Sequence, residues 1–304
     1  MIGSLLRRSK NLQLAGLISP GALWLLLFFN LPLLIVLFIS FVERGRAGGI
    51  QVPPGYTLRN YLQFFNSCST AYSGPDCDPF LYLGIFGGSV RIAAIVTLWC
   101  ILLGYPLAYF IAHSPARWRD SLMLLVIIPF WTNFLVRTYA LKSVLGADGM
   151  INAALMNLGV VARPLEMLFN DFGVVVGLIY GYIPFAILPM YASIEKFDES
   201  LMEAAADLGA NPRRAFWRVM LPMTLPGVIA AFVLVFVPVV GAFITPEIMG
   251  GGKVEMIATL INRQFSTARN WPFGSAMSLV LMLLVLIAVV IYFRSGDESS
   301  RRAM

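Results

Sequence analysis

The stretch EAAADLGANPRRAFWRVMLP, from Glu203 to Pro222, is charged and rich in alanine. Apolar blocks flank it on both sides, and 59% of the 304 residues in the chain are hydrophobic. Only 12% of the residues are charged, which is too few to cover the surface of a soluble globular protein. The stretch is therefore a long polar connection in a chain of membrane-protein composition, and its role depends on the side of the membrane that it faces.

The apolar residues are gathered into blocks that are long enough to cross a membrane. One helix needs about 20 apolar residues to span ~30 Å of hydrocarbon. The blocks also lack the polar stripe that a surface helix of a soluble protein carries. The blocks are Pro20 to Val42, Phe80 to Ala112, Ser121 to Leu141, Phe172 to Ile194, Pro226 to Thr245 and Phe273 to Phe293. The sequence therefore predicts an all-α integral membrane protein with six transmembrane helices.

The basic segment at the N-terminus allows two interpretations of the first block. A cleaved signal peptide also begins with basic residues, but its apolar run is shorter and a small-residue cleavage site follows it. The first block is longer and no such site follows it. We therefore expect a retained first span, with Pro20 in its first turn.

Basic residues predict the orientation of the spans. They are found in the short segments at the N-terminus, around Arg117 and Arg119, and at the C-terminus. The positive-inside rule places such segments in the cytoplasm, so both termini are predicted to lie inside. The net charge of +6 then indicates topology and contact with anionic lipid, and we predict no nucleic-acid partner.

This topology gives a predicted organisation of the whole chain. The segment 1–19 is cytoplasmic, and 20–79 holds the first span and an outer loop. The transmembrane core is 80–294, with a cytoplasmic loop at 195–225 that contains the polar stretch, and 295–304 is a cytoplasmic tail.

The sequence shows no signature of an enzyme or of a metal site. The glycines near Lys253 lack the spacing of a phosphate-binding loop, and neither HExxH nor GxSxG occurs. The single histidine, His113, has no Cys or His neighbour in the sequence. We therefore predict no metal and no cofactor bound by this chain. In the first outer loop, Cys68 and Cys77 either form a disulfide or remain two separate thiols, whereas Cys100 is expected to be a packing residue.

The polar stretch is predicted to form two short helices that meet at a glycine. Ser200 and Glu203 fit a capping box at the start of the first helix, with Asp198 as an alternative cap. Gly209 is expected to end this helix, and Asn211 to cap the second. Small alanines on one face suit insertion into a groove of another protein. The alternative is a helix lying on the membrane surface, which the acidic first half disfavours because the inner leaflet is negatively charged.

This stretch resembles the EAA signature of permease subunits of binding-protein-dependent ABC importers. Glu203-Ala204-Ala205 is followed after three residues by Gly209, and after nine more by Val219-Met220-Leu221-Pro222, with valine where the signature has isoleucine. The resemblance implies the type I ABC importer permease fold and a coupling helix that docks into a cytoplasmic ATPase. The contact residues that it implies are Glu203, Ala204, Ala205, Asp207, Gly209, Leu221 and Pro222.

Three further stretches resemble the permeases of spermidine/putrescine importers: IPFWTNFLVRTYALKSVLG from Ile128, LPMYASIEKFDESLMEAAADLGA from Leu188, and RNWPFGSAMS from Arg269. The resemblance implies a subunit of the bacterial inner membrane that forms half of a polyamine path. The partners that it implies are a homologous second permease, two ATPase subunits that use ATP and Mg, and an outer substrate-binding protein. The alternatives are an ABC importer permease for another small solute, and a channel or gradient-driven carrier.

A polyamine path needs carboxylates or aromatic faces to replace the hydration of the cation. The 16 acidic residues lie in loops or at the ends of spans, so we expect aromatic residues to line the path. The candidates are Phe130, Trp131, Asn133, Tyr180, Tyr182, Phe185 and Phe236, with Asp148, Glu247 and Glu255 at the outer mouth. For each aromatic residue the alternative is packing between helices or contact with lipid. Arg137 is expected near the outer end of the third span, with its side chain reaching the interface.

Overall fold

A computed structural model describes residues 17–69 and 78–302, without the side chains of 288 and 291–302. Most of the predicted N-terminal segment 1–19 therefore lies outside the described residues. The described helices are α1 (Leu17–Ser40), α2 (Arg59–Phe65), α3 (Leu81–Ala112), α4 (Ala116–Ile127), α5 (Phe134–Leu145), α6 (Met150–Asn157), α7 (Asp171–Glu195), α8 (Ser200–Asp207), α9 (Pro212–Val240), α10 (Ile244–Gly250), α11 (Ile257–Ser266) and α12 (Trp271–Arg302).

The all-α prediction is confirmed for the described part of the chain. Its only extended pairings are two isolated bridges, Val42 with Tyr56 and Arg44 with Ile50. Four helices, α1, α3, α7 and α9, are long and apolar enough to cross a membrane. A bent pair of segments gives a fifth candidate span, and a shorter apolar helix covers Trp271–Ile287. Each of the six predicted apolar blocks therefore overlaps one of these helical segments.

The third block was predicted as one span, and the structure corrects this. The segments Ala116–Trp131 and Phe134–Asn157 meet at an angle of 93°. Pro129 lies in a 3₁₀ turn that follows α4, and Thr132 is extended. Proline has no N–H for the helix ladder, and Asn133 then caps the new helix α5 with its own side chain. The third block therefore consists of two helical segments separated by a short break, and not of one continuous helix.

The fifth block is also shorter than predicted. Helix α9 ends at Val240, with Gly241 as its C-cap, whereas the apolar block ran on to Thr245. Pro246 has no N–H to donate to the carbonyl four residues earlier, so a continuous helix is not formed there. The remaining apolar residues enter the separate helix α10, which packs against α5 and α7.

The chain divides into two compact units, 1–79 with 263–281 and 80–262 with 282–304. Helices α3, α7 and α9 pack against one another in the second unit. Glycine makes the closest approach possible, because a Cβ added at Gly227 on α9 would lie 2.8 Å from the Pro189 carbonyl oxygen and against Ser193 on α7. Small residues are the usual means by which membrane helices approach closely.

In the first unit the loop that follows α1 is held by hydrogen bonds to backbone atoms. The Asn60 amide donates to the carbonyl oxygens of Ser40 and Val42, at 2.8 and 3.0 Å. Arg44 Nη2 donates to the Ala268 carbonyl oxygen at 2.8 Å. Cys68 is disulfide-bonded, and Cys77, the partner predicted for it, lies outside the described residues.

Candidate translocation path and coupling surface

Residues 196–222, which we call the coupling segment after the role predicted for them, have the two-helix form that the sequence predicts. Helix α8 ends before Gly209, which has a φ of 81°, in the left-handed region that favours glycine. The Gly209 N–H donates to the Ala206 carbonyl and the Ala210 N–H to the Ala205 carbonyl, at 2.8 and 2.9 Å. Asn211 then caps α9, because its side-chain oxygen accepts from the Arg214 N–H at 2.8 Å. The helix stop and the second cap are therefore confirmed.

The capping box predicted at Ser200 and Glu203 is not formed. Ser200 is already the first residue of α8, and the Glu203 N–H donates to the Glu199 carbonyl at 3.3 Å. Asp198 makes the local bond instead, since its Oδ1 accepts from the Ser200 N–H at 3.0 Å. Hydrogen bonds from the Ser200 side chain and backbone hold the pKa of the Asp198 carboxyl below its usual value. The N-cap residue is Glu199, which makes no side-chain capping bond, so neither predicted cap is formed and Asp198 supports the helix start from the preceding position.

The predicted contact residues of the coupling segment are accessible. Glu203, Ala204, Asp207 and Gly209 are exposed, and Ala205 is half-buried. Leu221 and Pro222 belong to the long helix α9, where they are half-buried and exposed, respectively.

Sequence reasoning missed Leu208, whose side chain joins this surface. It is 89% exposed at the C-cap of α8, beside Gly209. Burial of so exposed an apolar side chain against another protein would remove its surface from water, which is favourable. Helical periodicity did not identify it, because the helix ends at this residue.

Ion pairs connect the start of the coupling segment to neighbouring helices. Arg119 on α4 lies 3.2 Å from the carboxylate of Glu195, the last residue of α7, and also donates to the Ala112 carbonyl at 2.7 Å. The Tyr191 hydroxyl donates to the same Glu195 oxygen at 2.7 Å. Sequence reasoning missed this group, because its members come from three helices.

His113 contributes a second connection at the same place. Its Nε2 lies 3.3 Å from Oε1 of Glu199, the residue before α8, and its Nδ1 lies 2.9 Å from the Tyr109 carbonyl oxygen. The end of α3 therefore contacts the residue at which the coupling helix begins. Sequence analysis did not identify this partner of His113, because the two residues are distant in the chain.

Arg137 is buried, contrary to the expectation that its side chain reaches the interface. The residue is 8% exposed, and Nη1 donates to the Pro129 carbonyl oxygen at 2.8 Å. Its guanidinium carbon lies 4.9 Å from the ring centre of Phe130, 5.6 Å from that of Phe134 and 5.8 Å from that of Tyr180. We call these three rings the aromatic cage. The expectation was wrong because the break before α5 places Arg137 against α7.

The cage brings together several of the predicted path residues. Phe130 packs edge-on against Phe185, with 4.9 Å between the ring centres, and Phe185 lies 6.0 Å from the ring of Tyr182. Tyr180, which lies on α7 with Tyr182 and Phe185, faces Arg137 on α5. Four of the candidates therefore form one cluster around the bend of the third span.

The other path candidates lie apart from this cluster. Trp131 is 79% exposed. The amide oxygen of Asn133 is occupied as a helix cap, since it accepts from the Leu135 N–H at 2.8 Å. Phe236 stacks on Phe232 within α9, with 5.2 Å between the ring centres.

The acids predicted for the outer mouth come from separate elements. Asp148 is exposed in the turn between α5 and α6, and Glu247 is exposed on α10. Glu255 is half-buried in the segment that precedes α11. Their role at an outer mouth stays a prediction.

A cavity of about 280 Å³ borders the aromatic cage. Helices α3, α4, α5 and α7 and the 3₁₀ turn form its walls, and all but two of the lining side chains are apolar. The lining residues are Leu107, Ile111, Leu122, Leu125, Val126, Pro129, Phe130, Arg137, Tyr180, Ile183, Pro184 and Ile187.

Comparison with models of known protein families identifies the family of this chain. Residues 104–296 match the family model described as the binding-protein-dependent transport system inner membrane component. This chain belongs to that family. The permease is therefore a multi-pass transport subunit of the bacterial inner membrane and not an enzyme, and its family acts with an ATPase and a substrate-binding protein.

Curated relatives align with this permease over nearly its whole length. It is 38% identical to the spermidine/putrescine transport system permease protein PotB of Haemophilus influenzae over 279 residues, which cover 92% of each chain. It is 40% identical to the protein of the same name from Escherichia coli over 273 residues, which cover 90% of this chain and 94% of the other.

A solved structure confirms the fold. The permease matches a chain of a bacterial alginate ABC transporter with a TM-score of 0.69 at 16% identity, and the match covers 97% of this chain and 96% of the other. At this identity the likeness shows the fold alone. The ABC importer permease fold implied by the sequence resemblance is therefore correct.

Proposed function

We propose that this permease forms half of an inward path for polyamines of the spermidine and putrescine class. The observation that carries the proposal is the identity of 38 to 40% with two polyamine permeases over nine tenths of the chain. A homologous second permease supplies the other half of the path, and an outer binding protein delivers the substrate. Two ATPase subunits bind ATP and Mg, and this chain binds neither. Both of its termini lie in the cytoplasm.

The aromatic cluster supports an organic cation as substrate. The cage surrounds the Arg137 guanidinium with rings, and within the described residues Arg137 forms no ion pair. Ring faces attract organic cations without the strong binding of a carboxylate. A polycation is therefore stabilised there while it remains able to leave.

The coupling segment supplies the contact with the ATPase in this proposal. Glu203, Asp207 and Leu208 form an exposed surface beside the left-handed turn at Gly209. The carboxylates bind basic residues of the ATPase, and Leu208 enters an apolar pocket. The pairs Arg119–Glu195 and His113–Glu199 then transmit movement of α8 to α3, α4 and α7.

The experiment is uptake of labelled spermidine into cells that lack their own polyamine importers and express this chain with its partner subunits. We expect uptake that unlabelled putrescine competes and an unrelated solute does not. Gly209→Asp is expected to abolish uptake. Gly159→Asp is the matched control, because Gly159 is also exposed, has a φ of 69°, and lies outside the coupling segment.

The outcomes separate the alternatives. An assembled complex that hydrolyses ATP and takes up no polyamine would indicate an ABC permease for another solute. Uptake that persists with Gly209→Asp and without ATP would indicate a channel or carrier. Equal loss with Gly209→Asp and Gly159→Asp would contradict the specific role of the coupling segment.

A further inference from the structure

The surroundings of Arg137 are unusual for a charged side chain in a membrane span. A buried cation in a span usually faces a carboxylate or water, because its desolvation is costly. Arg137 has instead one carbonyl bond, to Pro129, and three aromatic rings within 6 Å of its guanidinium carbon. Within residues 17–69 and 78–302, none of the ion pairs includes it. The cage therefore holds a cation by ring faces, which is the chemistry that a polyamine needs.

The cavity beside the cage matches the remaining part of such a substrate. A polyamine alternates ammonium groups with chains of methylene groups. The cavity of about 280 Å³ next to Arg137 is lined by aliphatic side chains, among them Leu107, Ile183 and Ile187. An ammonium group in the cage would place its methylene chain in this apolar space. The aromatic cage thus suits the ammonium group of a polyamine, and the apolar cavity suits its methylene chain.

We propose, on the basis of the proposed function, that the cage is a cation-binding station of the translocation path and that Arg137 occupies it when substrate is absent. The guanidinium is then a tethered competitor of the substrate ammonium. In this conformation it fills the station, and substrate enters when Arg137 moves away. The station is thereby closed to other cations between transport cycles.

The position of the cage within the bent span gives a route for this movement. Phe130 lies in the 3₁₀ turn before the break, whereas Phe134 and Arg137 lie on α5 after it. Tyr180 comes from α7, so the cage is complete only while α5 packs on α7. A change of the 93° bend separates the guanidinium from Phe130 or Tyr180. Rocking of the permease therefore changes the occupancy of the cage.

The test measures binding of labelled spermidine to the complete importer complex in nanodiscs, without ATP and without the binding protein. Arg137→Gln empties the cage, so we expect binding about tenfold tighter than in wild type, a factor that corresponds to ~1.4 kcal/mol. Arg137→Lys keeps a tethered cation and is expected to bind like wild type. Arg91→Gln is the matched control, because Arg91 is an exposed arginine paired with Asp171 outside the cage.

A second substitution shows whether the gained binding is in the cage. Phe130→Leu in the Arg137→Gln background removes a ring and keeps an apolar side chain, so we expect the gain to disappear. No gain with Arg137→Gln in a complex that hydrolyses ATP would overturn the proposal. A gain that survives Phe130→Leu would overturn it as well, because the ligand would then lie elsewhere.

If the complex does not assemble with Arg137→Gln, the proposal is tested with the single variant Phe130→Leu. Loss of one ring is expected to lower kcat/KM for ATP-driven spermidine uptake about tenfold while ATP hydrolysis continues. Unchanged uptake contradicts the station. The wild-type complex is assayed for uptake in the same preparation. If it takes up no polyamine, the proposed function itself is wrong. If the wild-type complex takes up polyamine and Arg137→Gln gains no binding, the proposed function stands and the proposal for Arg137 and the cage is overturned.

Discussion

Arg119 and Glu195 form an ion pair between α4 and the end of α7, with 3.2 Å between Nη1 and Oε1. Glu195 is the last residue before the coupling segment, so the pair ties α4 to the helix end that leads into the predicted ATPase contact. Both side chains are partly exposed, and such a pair contributes about 0.2–1 kcal/mol to stability. Its main effect is therefore on the relative position of the helices.

Removing this pair is expected to uncouple transport from ATP hydrolysis without unfolding the permease. Glu195→Ala removes the partner of both Arg119 and Tyr191, so α4 is released from the end of α7. We expect the number of substrate molecules transported per ATP to fall severalfold. The measurement is uptake and ATP hydrolysis in the same proteoliposomes. Arg117→Ala, at an exposed arginine of the same helix, is the control, and an unchanged ratio for Glu195→Ala would contradict the prediction.

Substitutions at Gly209 are expected to follow backbone conformation and not side-chain size alone. A Cβ at this position would meet no atom within 4 Å, but the φ of 81° is unfavourable for residues other than glycine. Asparagine tolerates the left-handed region better than other residues, and β-branched residues tolerate it least. We predict that affinity for the ATPase falls in the order Gly, Asn, Ala, Val. A Kd series in which Ala binds better than Asn would indicate that size decides.

Leu208 is expected to be an anchor of the ATPase contact. Truncation of a central apolar anchor typically costs more than 1 kcal/mol, so Leu208→Ala should weaken ATPase binding about tenfold or more. Leu158→Ala is the control, because Leu158 is also an exposed leucine, at 76%, at a helix C-cap, and lies outside the coupling segment. Binding to the isolated ATPase subunit is the measurement. Equal effects of the two substitutions would show that Leu208 has no special role.

The close approach of α9 to α7 predicts that alanine lowers stability at Gly227, within α9, but not at Gly241, the C-cap of this helix. Alanine at Gly227 would place its Cβ 2.8 Å from the Pro189 carbonyl oxygen, whereas at Gly241 the nearest atom would be 3.7 Å away. Overpacking of this kind typically costs about 1–3 kcal/mol. We expect a lower Tm in detergent for Gly227→Ala and no change for Gly241→Ala. A Tm of Gly227→Ala equal to that of wild type would mean that the helices separate easily.

Features that depend on neighbours in the sequence were predictable. The apolar blocks identified the helices that cross the membrane, because the length of a span is set by the thickness of the bilayer. The turn at Gly209 and the cap at Asn211 were correct, since both depend on backbone preferences within a few residues. The capping box predicted at Ser200 was wrong, because Ser200 is the first residue of α8 and not the cap residue before it.

The sequence by itself determined the all-α membrane class, the EAA pattern and the form of the coupling segment, because these depend on composition and local spacing. Only the tertiary structure decided that the third span bends by 93°, that Arg137 is buried in a cage, and that Glu195 meets Arg119. The physical reason is that each of these depends on residues distant in the chain. A ring on α7 lies against a guanidinium on α5 only after the helices have packed, and packing is a property of the whole bundle.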